Sequence, residues 1–157
     1  MVQEKARDVR LKLPTDYNLT EVREMIKKTS GPKGLADKGM SVPLNVFLFQ
    51  EITRFQMVLS LVRTTLSNIV EAIDGNIIMT PDIMDAIDAL ADARAPTSWM
   101  YDASGAEISW VLPALGAWIT SLMERYNQLN NWLRTSRPNT FWLTGFFNPQ
   151  GFLTAMK

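Results

Sequence analysis

Cysteine and histidine are both absent from this 157-residue sequence. Without cysteine there is no disulfide framework, no thiolate metal site and no thiol nucleophile. Without histidine the commonest general base and the commonest zinc ligand are missing. The opening residues Met-Val-Gln-Glu-Lys-Ala-Arg lack the apolar core of a secretory signal. The sequon Asn18-Leu19-Thr20 is therefore expected to stay unmodified. No window approaches the roughly 18 uninterrupted apolar residues that a membrane span needs. Net charge is missing too, with 16 Lys and Arg against 16 Asp and Glu. Nothing draws the chain to nucleic acid or to an anionic membrane, and neither is expected as a partner.

What is present is unevenly placed. Residues 1–45 hold nine bases and six acids, whereas residues 71–107 hold eight acids and a single base, Arg94. The C-terminal fifty residues return to positive, with Arg125, Arg134, Arg137 and Lys157 against Glu124. Such blocks predict faces with different neighbours. Residues 137–157 combine Phe141, Trp142, Phe146, Phe147 and Phe152 with turn-forming Gly and Pro and little charge. That apolar area needs cover, from this chain or from a partner.

Along the chain, the patterns predict helices and no strand of comparable strength. Residues 1–28 read as two short helices around Leu13-Pro14, because the residue before proline avoids the helical region. Asn18 or Thr20 is placed to cap the second of them. Residues 29–45 hold three Gly and two Pro and read as a linker. From Val46, apolar residues Leu48, Ile52, Phe55, Leu59, Val62, Leu66, Ile69 and Ile73 alternate four- and three-residue steps. This is an a/d seam, and a helix with one such stripe must lie along another helix. Gly75 stands where a helix C-terminal glycine belongs.

Thr80-Pro81 starts the next helix with a cap and a proline at the first helical position. Its expected buried face is Ile83, Met84, Ile87, Leu90 and Ala91, with Pro96 closing it. Residues 97–110 read as irregular, anchored by Trp99, Tyr101 and Trp110. Pro113 is expected to open a third long helix with Leu115, Trp118, Leu122, Tyr126, Leu129 and Leu133 buried, ended by Pro138. Asn148-Pro149 repeats the cap-plus-proline start. The predicted fold is all-α, an antiparallel bundle of long amphipathic helices.

Few residues suggest chemistry. Gly34 to Ser41 nearly fits the phosphate-cradling pattern, but Met40 occupies its lysine position and Pro43 interrupts the helix that should follow. Asp82, Asp85, Asp88 and Asp92 recur at helical spacing opposite Ile83, Ile87 and Leu90, which predicts a solvated acidic face suited to a basic partner. Glu51 and Arg54 read as a surface ion pair of about 0.3–0.5 kcal/mol. Tryptophans 99, 110, 118, 132 and 142 lack the basic clusters of a base-stacking platform and read as core or interface anchors. No catalytic, cofactor-binding or metal-ligating residue is assigned.

Specific strings narrow the field. Pro43-Leu-Asn-Val-Phe-Leu-Phe-Gln-Glu-Ile-Thr-Arg54 resembles the helix entering the C-terminal region of dynein heavy chains. Leu59-Ser-Leu-Val-Arg-Thr-Thr-Leu66 continues the likeness, and Ala72-Ile-Asp-Gly-Asn-Ile-Ile-Met-Thr-Pro81 is similar to the family's turn into its next helix. Ala93-Arg-Ala-Pro-Thr-Ser-Trp99, Leu115-Gly-Ala-Trp118 and the string Phe141 to Met156 follow in the same order. The wording is most similar to axonemal outer-arm chains of the gamma type. The resemblance covers residues 43–157 well and 1–28 loosely. Residues 29–41 match no family string, and 100–112 are longer than the family's usual connection.

The resemblance implies a division of the chain. Residues 1–28 would be a helical lead-in from the end of the sixth AAA+ module, and 29–45 a Gly/Pro linker. Residues 46–157 would be the helical part of the C-terminal domain, cut short, with more chain expected beyond Lys157. It further implies a non-catalytic structural or regulatory segment that braces the AAA+ ring of an ATP-driven, minus-end-directed microtubule motor for ciliary beating. ATP and magnesium are implied only for the full-length motor, and no nucleotide-contacting residue carries over to this segment. The implied partners are the rest of the motor ring and, through the whole protein, other dynein chains and axonemal microtubules. The implied location is the cytoplasm and cytoskeleton, in the axoneme of a cilium or flagellum. Two other readings stand beside this one. The protein could be an independent helical adaptor docking through its seam or aromatic tail, or a small enzyme built on Gly34–Ser41 and the aspartates.

Overall fold

The computed structural model describes residues 2–28, 43–101, 107–108, 112–134 and 141–156. These form six α-helices: α1 (Val2–Lys12), α2 (Leu19–Lys28), α3 (Pro43–Ile73), α4 (Pro81–Ala91), α5 (Leu115–Arg134) and α6 (Pro149–Met156). Short 3-10 turns cover Thr97–Met100 and Leu143–Gly145. Among the described residues the only extended pairings are the single bridges Arg94–Ala114 and Tyr101–Glu107. The all-α expectation holds.

Helix ends follow from local chemistry. The side-chain oxygen of Asn18 accepts from the backbone N–H groups of Thr20 at 3.0 Å and Glu21 at 3.3 Å, so Asn18 rather than Thr20 caps α2. Thr80 accepts from the Ile83 N–H at 3.3 Å, with Pro81 opening α4. Gly75, at φ +80°, ends α3, with its own N–H on the Ala72 carbonyl and the Asn76 N–H on the Glu71 carbonyl. α4 ends the same way but on an alanine. Ala93 adopts φ 56° while the Arg94 N–H reaches the Ala89 carbonyl at 2.7 Å. The Ala93 carbonyl then accepts from the Leu115 N–H at 3.0 Å, which holds an L-residue in a conformation that normally favours glycine. α4 thus stops well before Pro96.

The described chain divides into two compact units. The first comprises residues 1–15 and 57–123. Its core lies under the second half of the α3 seam, where Leu59, Val62, Leu66 and Ile69 are fully buried. Trp99 and Trp118 pack with ring centroids 4.9 Å apart. α1 packs on α4, with Ala6 and Val9 buried on one helix and Ala86, Ala89 and Leu90 on the other. Its polar face ties to α3 through Gln3 Nε2 to the Val70 carbonyl at 3.2 Å, and Arg63 reaches back to the Pro14 carbonyl at 2.6 Å.

The second unit comprises residues 16–56 and 124–157. Val22 and Ile26 of α2, Phe47, Leu48, Ile52 and Phe55 of α3, and Leu129, Trp132 and Leu133 of α5 form its core. The tail supplies Phe146 and Phe152, and these stack at 5.2 Å.

Several expected positions move. α3 starts at Pro43, earlier than Val46, and its last seam residue, Ile73, is 42% exposed beyond the packed region. On α4 the buried residues are Ala86, Ala89 and Leu90, while Met84 is 53% exposed and Ala91 also faces water. Two of the three buried residues are small, so their burial is not marked by hydrophobicity. α5 begins at Leu115, because the Pro113 carbonyl is occupied by the Ala95 N–H at 2.9 Å and Ala114 supplies the first helical carbonyl. Trp110, Pro138 and the string Gly34–Ser41 lie outside the described residues.

Candidate functional site

In the second unit, three side chains grip the backbone of residues 142–148. Gln128 accepts from the Trp142 N–H at 2.8 Å and donates to the Trp142 carbonyl at 3.3 Å. Arg125 donates from Nη2 to the Thr144 carbonyl at 3.1 Å. Glu51 Oε1 accepts from the Asn148 N–H at 3.1 Å. Asn148 then caps α6 by accepting from the Gly151 N–H at 3.0 Å.

Two of these grips are buried charges. Glu51 is fully buried and Arg125 nearly so. Burial pushes the Glu51 carboxyl above its ordinary value, opposed by the Asn148 N–H and by Arg54, whose guanidinium lies 3.7 Å from Oε2. Burial likewise pushes the Arg125 guanidinium down to about 10. Arg125 also lies 4.8 Å from the centroid of the Trp142 ring, a cation–π contact. Gly145 permits that ring to lie close, because a Cβ there would fall 2.4 Å from a ring carbon. Nearby, burial raises the Tyr17 phenol above its ordinary value, and its hydroxyl meets Asn130 Oδ1 at 3.4 Å.

This corrects the reading of Glu51 and Arg54 as a surface pair. Arg54 is on the surface, but Glu51 is interior and its principal partner is the start of α6. The signal was present in the spacing: Leu44, Phe47, Glu51 and Val58 form a second buried stripe beside the seam. Arg125 was missed for a related reason, since Trp118, Leu122, Arg125, Leu129 and Trp132 are all buried at alternating four- and three-residue steps. Tyr126, chosen in its place, is only half-buried.

The aromatic tail finds much of its cover inside the chain. Phe146 meets Phe47 edge-on at 5.0 Å, Phe141 lies 5.1 Å from Trp132, and Phe152 lies 4.6 Å from Phe141. Trp142 remains 39% exposed. Trp99, Trp118 and Trp132 are fully buried and so serve as core.

In the first unit, Asp82, Asp85, Asp88 and Asp92 are all exposed, as their spacing predicts. Asp92 pairs with Arg94 at 3.1 Å. The other three line a groove of about 640 Å³, walled by Leu61, Thr64, Thr65 and Asn68 of α3. Among the described residues no group of three or more His, Cys, Asp or Glu is placed to hold a metal ion.

The fold and these contacts define an all-α protein whose buried charges hold its own backbone. The protein belongs to the family of C-terminal domains of dynein heavy chains, whose model matches residues 1–157. It is 47% identical over 152 residues to dynein axonemal heavy chain 5 of Mus musculus, which covers 97% of this chain and 3% of that protein. It is 45% identical over 150 residues to the dynein gamma chain of the flagellar outer arm of Chlamydomonas reinhardtii, covering 96% and 3%. Against dynein axonemal heavy chain 8 of Homo sapiens the identity is 44% over 150 residues, with the same coverage. The sequence therefore spans about 3% of the length of these relatives. It is a C-terminal domain of the axonemal dynein class, and its location is the axoneme of cilia and flagella.

Proposed function

We propose that this chain is a non-catalytic, structural and regulatory segment of an axonemal dynein heavy chain, bracing the AAA+ ring of a minus-end-directed microtubule motor. The observation that carries the reading is the family match over residues 1–157. The site geometry supports it, because the buried Glu51 and Arg125 are spent on fastening the turn at 142–148 to α3 and α5. ATP with magnesium belongs, in this proposal, to the rest of the motor. No nucleotide step is assigned to this segment. The partners of the whole protein would be its own ring, other dynein chains and the axonemal microtubule.

The test compares a full-length heavy chain that carries this segment with one lacking residues 43–157. Loss of the segment should alter microtubule gliding velocity while leaving ATP binding in the ring. Unchanged gliding, or ATP turnover by the 157 residues alone, would overturn the proposal.

A further inference from the structure

The groove on the first unit combines an acidic wall with a small apolar floor. Its α4 wall presents Asp82, Asp85 and Asp88 at three-residue intervals, all exposed, above Ala86 and Ala89, which are buried and too small to fill it. Three such residues span about 9 Å along a helix axis. The α3 wall presents Leu61, 36% exposed, with Thr64, Thr65 and Asn68, and Pro96 with Thr97 lies at the groove's edge. The one basic lining residue, Arg94, is already paired with Asp92. The sequence around the groove is acidic throughout, with eight acids and one base in residues 71–107. An occupant must therefore combine cationic groups at helical spacing with an apolar edge that meets Leu61 and the alanine floor.

We propose that this groove seats a lysine- and arginine-bearing amphipathic helix from elsewhere in the same heavy chain. This rests on the reading that the protein is a segment of such a motor, and it names the surface through which the segment docks. Phosphate-bearing partners are repelled by the aspartate row. The basic helix α1 is not the occupant, because its apolar face, Ala6 and Val9, is already buried in the first unit. Charge complementarity sets the chemistry, and weakness sets the source. Exposed ion pairs contribute about 0.2–1 kcal/mol each, too little to recruit a free partner from dilute solution. A tethered helix meets the groove at an effective concentration that reaches the millimolar range, where such weak contacts suffice. The relatives, of which this sequence spans about 3%, have ample length to supply one.

A zero-length carbodiimide cross-linker applied to the full-length heavy chain tests this directly, because it joins a carboxylate to a lysine in contact. Asp85 and Asp88 should couple to lysines of one helix outside residues 1–157 of the same polypeptide. Asp85→Lys with Asp88→Lys should remove those cross-links, and Glu107→Gln, exposed and outside the groove lining, should leave them. A second arm titrates the 157-residue chain itself, whose groove is then free of a tethered occupant, with millimolar amounts of a synthetic helix bearing lysines three and four residues apart and leucines on one edge. The charge reversal should weaken its binding by about tenfold or more, and the reversed protein should prefer the glutamate version of the peptide. Cross-links only to a separate polypeptide, only within residues 1–157, or none at all would overturn the proposal, as would peptide binding that ignores the reversal. If the cross-links appear but the deletion leaves gliding unchanged, the groove stands and the bracing role falls. If gliding changes without the cross-links, the reverse holds.

Discussion

At the scale of the residue, Glu51 has the largest consequence for pH. Its carboxyl is buried, it gains a hydrogen bond from Asn148, and burial is the larger influence, so its folded pKa lies above the unfolded one. A group shifted upward binds its proton more tightly in the folded state. Its stabilising contribution is complete below the unfolded pKa, about 4.3 for glutamate, and is lost as pH rises through the folded value. Glu51→Gln keeps an oxygen to accept from Asn148 and removes the charge. The variant should therefore gain on the parent as pH rises toward neutrality and lose that advantage toward pH of about 4. Thermal melts across that range check this, and parallel pH profiles for parent and variant would show that the titration of Glu51 is not coupled to folding. The interior position is hidden by the width of the buried face. Over residues 44–55 that face is two stripes wide, with Leu44 and Phe47 buried beside Leu48 and Ile52.

At the scale of the element, the long helix was legible and its neighbour less so. The α3 seam was read from apolar spacing alone, and its positions from Leu48 to Ile69 are fully buried. Leu59→Ala at its middle should cost about 2–5 kcal/mol, a large-to-small change in a packed core. Ser60→Ala, one position on and exposed, should stay within about 0.5 kcal/mol. Urea unfolding of the two variants against the parent measures both, and equal costs would mean that the seam is not the core. α4 resisted the same logic because hydrophobicity ranks Ile and Met above Ala, whereas two of its three buried residues are alanines. Ala6, Ala86 and Ala89 carry little hydrophobic signal yet are buried alongside Val9 and Leu90. The α4 end was hidden likewise, since a left-handed alanine at Ala93 leaves no glycine to mark it.

At the scale of the whole molecule, the order of the sequence and its packing disagree, and that has a measurable effect. The sequence pattern predicts a serial division, with a linker over residues 29–45. The packed units instead interleave, each drawing on an early and a late stretch of the polypeptide, and α3 and α5 each contribute to both. No composition shift announces this, because the boundaries near residues 56 and 123 fall inside continuous helices. A polypeptide ending at Met123 keeps every residue of the first unit but strips residues 124–157 from the second. Phe55 then loses Tyr126, at 6.0 Å, and Phe47 loses Phe146 and Phe152, at 5.0 and 5.5 Å. Aromatic side chains bury the largest apolar areas, so their exposure should unfold residues 44–55 and bind a hydrophobic dye. Residues 58–70, whose unit keeps the buried Trp99, Trp118 and Leu122, should keep their amide protection. Hydrogen exchange along α3 reads both halves in one experiment. Protection lost only before Met57 would establish two separately stable cores on one helix, and protection lost along its whole length would make them a single cooperative unit.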